Sequence, residues 1–152
     1  MRNIIVLGLL ALCLTALIIR CGKEAPVVQA RNLPPAPPLP GAITTASGLQ
    51  YVDLITGTGK TAADDDHVSV LFTGWLTDGT QFDNSLDKNN PFKFEVGETE
   101  VNKGWDEGVT GMKVGGKRKM IIPPALGFGA KGKGNVPPNA TLIYEIELLA
   151  IQ

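Results

Sequence analysis

The stretch "VNKGWDEGVTGMKVGG", residues 101–116, decides the reading of this chain, because it sets one large aromatic inside a glycine-rich segment. Counted from Trp105, Val109 and Met112 fall at i+4 and i+7, so a short helix would carry all three on one apolar face. Asp106 and Glu107 then lie in its first turn, where negative charge suits a helix N-terminus, and Gly111 is the stop signal. A helix so short is not stable alone and must lean on other parts of the chain.

The flanking sequence supplies the support as short β-like runs. "LQYVDLI" (49–55), "HVSVLFTGWL" (67–76), "KRKMIIP" (117–123) and "TLIYEIELLAI" (141–151) are rich in Val, Ile, Leu and aromatics, with turn residues between them. In the last run Leu142, Tyr144, Ile146 and Leu148 share one face, while Glu145 and Glu147 take the other. That alternation predicts a half-buried antiparallel strand. One short helix among several such strands predicts an α+β domain, a bent sheet with the helix on its concave face and Trp105 between them.

Composition bounds the rest. The 152 residues are 43% hydrophobic, enough for one core, and no internal repeat argues for a second domain. There are 14 basic and 15 acidic residues, and the leader through Cys21 holds Arg2 and Arg20 but no acid. The remainder is mildly acidic, which excludes nucleic acid as an expected partner. The basic cluster "KVGGKRK" (113–119) alternates with apolar positions and is read as a solvated strand face. Cys13 and Cys21 both lie in or beside the leader, so the domain is expected to have no disulfide, no metal site and no cofactor.

Residues 4–19 contain no charge and no proline, the mark of a membrane-insertion signal. At about 1.5 Å per residue they reach roughly 24 Å, between a signal-peptide core and a full span. The run ends near Cys21–Gly22, which resembles a bacterial lipoprotein signal, with Arg20 where such signals have a small residue. Three modes follow: lipidation at Cys21, an uncleaved N-terminal anchor, or cleavage after "VQA" at Ala30. Each exports the remainder to the periplasmic side of a bacterial membrane. Residues 23–46 carry six prolines and few large apolar groups, the composition of an extended tether. The division is therefore 1–21 signal peptide or membrane anchor, 22–46 proline-rich linker, and 47–152 folded domain.

Motifs for bond-making chemistry fail one by one. "GFGAKG" (127–132) has dinucleotide-loop spacing but leads into more glycine and Pro137–Pro138 in place of a helix. "GMKVGGKR" (111–118) has Arg118 where a phosphate loop needs Ser or Thr. His67 follows three aspartates at a strand edge and has no nucleophile beside it. "NAT" at Asn139 is read as a turn into the last strand.

The blocks "TGWLTDGTQFD", "PFKF", "GWDEG", "GFGAKG" and "PPNATLIYEIELL", in that order and covering about residues 48–151, resemble the FKBP-type peptidyl-prolyl cis-trans isomerases. The resemblance implies a five- or six-stranded bent antiparallel sheet wrapped around one short helix, with an apolar pocket between them for a prolyl ring. It implies catalytic roles for Asp83, Trp105, Phe128 and Tyr144, with Trp105 as the floor. Substrate contacts fall on Phe72, Phe82, Phe92, Val101, Asn102 and Val136. Phe72 and Phe128 stand where the family often has tyrosine, and Asn102 where it usually has an apolar residue. The implied partners are proline-containing polypeptides and macrolide immunosuppressant-type ligands. A proline-pocket binding module or periplasmic chaperone with incidental isomerase activity is the alternative reading. No long helical arm precedes the domain in this sequence, so a monomer is expected.

Overall fold

The apolar run at residues 67–76 becomes the strand that pairs with three others in the sheet. In the computed structural model, which describes residues 33–152, the elements are β1 (Ile43–Thr44), β2 (Gln50–Ile55), β3 (His67–Leu76), β4 (Gln81–Ser85), β5 (Phe92–Glu95), α1 (Lys103–Val109), β6 (Lys117–Ile122) and β7 (Leu142–Ile151). The sheet is antiparallel, in the order β1-β2-β6-β7-β3-β4, with β5 pairing to β3 off this path. The first half of β3 pairs with β5 through His67–Val70, and the second half pairs with β4 through Phe72–Trp75. Register shifts fall at Ser69/Val70 against β7, close to this change of partner, and at Gly74/Trp75 within the pairing with β4, irregularities of the kind that bend and twist a strand.

The four long runs lie where their composition put them. Within β7 the predicted alternation is present: Leu142, Tyr144, Ile146 and Leu148 are buried, and Glu145 and Glu147 are half-exposed. The sheet has seven strands, one more than the upper expectation, because the two-residue β1 pairs Ile43 with Tyr51 and Thr44 with Gln50. It therefore starts upstream of residue 47, inside the segment read as linker. Leu33, Ala36 and Leu39 are half-buried at three-residue spacing, the repeat of a polyproline helix with one face inward, and Leu33 packs against the core. The leader and the linker through residue 32 lie outside the described residues, among which no helix is long and apolar enough to cross a membrane.

Three expectations about local detail are corrected. The helix ends at Val109, and Met112 is buried beyond it, placed by the turn at Gly111 (φ +82°) and not by helical spacing. Only Asp106 lies in the first turn; Glu107 instead accepts a 2.7 Å hydrogen bond from the Ser47 hydroxyl. In the basic cluster, Arg118 is buried, not solvated. Its Nε and Nη2 donate to the two Asp53 oxygens at 2.6 and 3.1 Å, Nη1 donates to the Gly108 carbonyl at 2.9 Å, and the guanidinium stacks 4.2 Å from the Tyr51 ring centroid. That fork ties the C-terminal end of α1 to β2 and β6.

The helix lies close on the sheet because its buried face carries glycines. A Cβ at Gly104 would stand 2.5 Å from Ile122 Cγ2, and one at Gly108 would overlap the Met120 sulfur. Both partners are fully buried. Gly104→Ala should therefore destabilise the domain by about 1–3 kcal/mol net of its better helix propensity. Thermal unfolding of the two proteins measures this, and an unchanged or raised midpoint would show that α1 can lift from the sheet without cost.

Candidate active site

Local packing puts aromatic rings at one end of the helix–sheet gap. The sheet positions Phe72, Gly74 and Tyr144 on its inner face, with Gly74 paired to both Tyr144 and Asp83. A side chain at Gly74 would meet Tyr144 Cε1 at 2.7 Å and Phe82 Cζ at 2.9 Å, so only glycine lets the Tyr144 ring cross it. The helix supplies Trp105, which is 3% exposed and meets four rings edge-on: Phe72 at 4.8 Å, Tyr144 at 5.1 Å, Phe94 at 5.6 Å and Phe92 at 5.8 Å between centroids. Perpendicular contacts of this kind set ring edges against ring faces, the favoured electrostatic arrangement.

Above Trp105 opens a cavity of about 430 Å³ lined by Phe72, Asp83, Phe92, Thr99, Glu100, Val101, Asn102, Trp105, Gly127, Phe128, Lys133 and Tyr144. Eight of the ten residues expected at the site line it. Phe82 stands one layer back, edge-on to Tyr144 at 5.5 Å, and Val136 is buried in the core, where its amide and carbonyl pair with Lys133 across the loop. The reading from sequence missed Thr99, Glu100, Gly127 and Lys133. Lys133 places its ammonium 5.3 Å from the Phe128 ring centroid, an arrangement for which a lysine in a glycine-rich loop gives no sequence signal. Phe94 behind Trp105 was likewise missed, although its alternation with Phe92 in "PFKF" could have revealed it.

Asn102 has a role that its polar nature explains. It is the N-cap of α1, with φ −74° and ψ 155°, and its Oδ1 accepts from the Trp105 backbone N–H at 3.1 Å. The unusual residue thus fixes the turn that presents Trp105. One residue on, burial raises the Asp106 carboxyl above the usual carboxylate range; the Gly97 N–H, donating at 3.1 Å, offsets this in part, and Asp64 and Glu100 push it up further. Burial also raises the Tyr144 phenol strongly, the Asp83 carboxylate adds to it, and the nearby Trp105 indole opposes it. The phenol stays protonated.

No group in this cavity is placed as a nucleophile with its base. The bent antiparallel sheet, the single short helix and the aromatic cavity between them define a site that binds an apolar ring and alters its surroundings. Residues 58–149 match the FKBP-type peptidyl-prolyl cis-trans isomerases, and the chain belongs to that family. It is 52% identical over 105 residues to the FK506-binding protein of Neisseria meningitidis serogroup B, covering 68% of this chain and 96% of the relative. It is 45% identical over 107 residues to the peptidyl-prolyl cis-trans isomerase Fkbp12 of Drosophila melanogaster, covering 69% and 99%. Among solved structures, FkpA from Escherichia coli superposes with a TM-score of 0.69 at 39% identity, covering 75% of this chain and 53% of that one. The protein is a peptidyl-prolyl cis-trans isomerase.

That activity agrees with the chemistry of the cavity. Rotation about an X-Pro bond breaks no covalent bond; the barrier, about 18–20 kcal/mol, comes from the partial double-bond character of the amide. The planar amide is the more charge-separated form and water stabilises it. The aromatic part of the cavity withdraws that stabilisation more from the planar form than from the twisted one, which is differential binding of the transition state.

Asn102→Ala removes the side-chain cap while leaving the backbone in place. It should cost about 0.5–2 kcal/mol of stability and lower turnover by loosening Trp105, read by chemical denaturation and by isomerisation of an X-Pro peptide. Full stability and full turnover would show that the cap does not position the indole.

Proposed function

We propose that the cavity receives the ring of a proline in an extended segment of an exported polypeptide, and that the enzyme accelerates rotation of the X-Pro bond there. The observation that carries this reading is the setting of Trp105, a buried indole that lines a cavity of about 430 Å³ and packs at steep angles against four rings. A flat, rigid floor suits a saturated five-membered ring. The backbone at Val101 and Asn102, on the wall beside it, holds the peptide chain, while Asp83, Glu100 and Lys133 give the mouth a charged fringe. The names of the relatives support a second class of ligand for the same cavity, macrolides of the FK506 type.

Trp105 supplies the test. Trp105→Phe should keep part of the activity on a short X-Pro peptide in a protease-coupled assay, whereas Trp105→Ala should lose most of it and about 3 kcal/mol or more of stability. A folded Trp105→Ala protein with undiminished turnover would mean that proline binds elsewhere.

The export reading rests on the leader. The uncharged run at residues 4–19 supports insertion, and Cys21 or the uncleaved run itself supports a tether that holds the domain on the periplasmic side of the membrane. The full chain made in a bacterial host should fractionate with membranes, and the mass of its mature N-terminus should show either a lipidated Cys21 or the intact leader. A soluble cytoplasmic protein with an unmodified leader would refute it.

A further inference from the structure

A proline in a chain has no N–H, so the hydrogen-bonding groups that flank its ring, the preceding carbonyl and its own, are all acceptors. A pocket that holds them by more than shape must offer donors. Among the rings that line the cavity, Phe72, Phe92 and Phe128 offer none, so the donors on the ring walls are the Trp105 indole N–H and the Tyr144 hydroxyl, beside the side chains of Thr99, Asn102 and Lys133 and the backbone at Val101 and Asn102. The indole nitrogen is buried with no hydrogen-bond partner among the described residues. It approaches the phenol closely enough to act on its acidity without making a hydrogen bond of ordinary geometry. On the Tyr144 hydroxyl the Trp105 indole acts as a weak hydrogen-bonding neighbour, and Asp83 acts through its charge.

The geometry of the Tyr144 ring is over-determined. It stands perpendicular to Trp105 at 5.1 Å and to Phe82 at 5.5 Å, and it lies over Gly74, where a single added carbon would come within 2.7 Å. Its hydroxyl is therefore aimed by packing, with little rotamer freedom left to lose on binding. We propose that the Tyr144 hydroxyl is the donor by which this pocket holds a backbone carbonyl of its prolyl substrate, a role that deepens the pocket reading above and rests on it.

The sign of the effect follows from the amide. A carbonyl oxygen on the rotating bond carries most charge in the planar ground state, and one outside that bond carries the same charge throughout. A donor to either stabilises the bound substrate at least as well as the transition state, so its loss raises KM and does not lower kcat. In the full chain, Tyr144→Phe should raise KM for a short X-Pro peptide about two- to tenfold, leave kcat no lower, and shift the melting temperature little, because the ring remains. An unchanged KM would overturn the proposal. So would a fall in kcat at constant KM, which would place the donor on the prolyl nitrogen, whose lone pair is freed only in the twisted state. Wild-type activity that is lost in Trp105→Ala but untouched in Tyr144→Phe would overturn this role alone. Undiminished activity in a folded Trp105→Ala protein would overturn the pocket reading and this role with it.

Discussion

The approach of α1 to β6, set by Gly104 over Ile122 and Gly108 over Met120, is the constraint on which the structure depends. Seven residues with two glycines make a poor helix by propensity, and no helix of that length is stable in isolation. The glycines are there because any side chain would lift the helix and withdraw Trp105 from the ring edges around it. Stability is therefore supplied from outside the helix. Asn102 caps one end, Gly97 bonds Asp106, Ser47 bonds Glu107, the Gly111 amide bonds the Ala62 carbonyl, and Arg118 takes the Gly108 carbonyl at the other end. The helix is a rigid mount for one indole, and the sheet holds it from several sides.

Arg118 shows how charge serves this packing. Its guanidinium lies at the C-terminal end of α1, where positive charge meets the unsatisfied carbonyls. Burial of an arginine is tolerable only with its donors matched, and Asp53 supplies the planar partner while Tyr51 covers the face. Asp53 is 40% exposed on its side chain, so solvent damps the charge attraction; the directional fork matters more than the Coulomb energy. A lysine could satisfy the charge but not the two-pronged geometry.

The sequence made the long elements legible and the short ones obscure, for physical reasons visible in particular residues. β3 and β7 are ten residues each, with enough Val, Ile and Leu to announce a strand, and their bounds match the apolar runs closely. β4 and β5 are largely exposed strands of five and four residues, while β1 is two residues after a proline run, so none carries a period that can be read. β4 and β5 were implied only by the family resemblance, and β1 was not anticipated. At the site, the aromatics on paired strands and on α1 were legible because each sits in a recognisable block. Glu100 and Lys133 were not, since they lie in loops whose course depends on Gly97, Thr99 and Gly132 at positive φ. Arg118 was misread because strand alternation says which face a residue takes but not whether a carboxylate and a helix-end carbonyl await it there.

The division between an apolar floor and a charged mouth explains how a site without a reacting group can be selective. Rotation of an amide needs only that the planar form lose its advantage, which a low-polarity wall provides for any X-Pro bond that enters. Such a wall cannot distinguish one proline from another, because every proline presents the same ring. Discrimination on this reading falls to the charged groups that line the cavity, Asp83, Glu100 and Lys133. These groups are solvent-facing, so each shifts affinity modestly, and the shifts grow only when several substrate side chains meet them together. A site built this way separates a floor that holds the ring from charged groups that meet the flanking chain. For clients that differ in everything except the possession of a proline, that separation lets catalysis and selectivity vary independently.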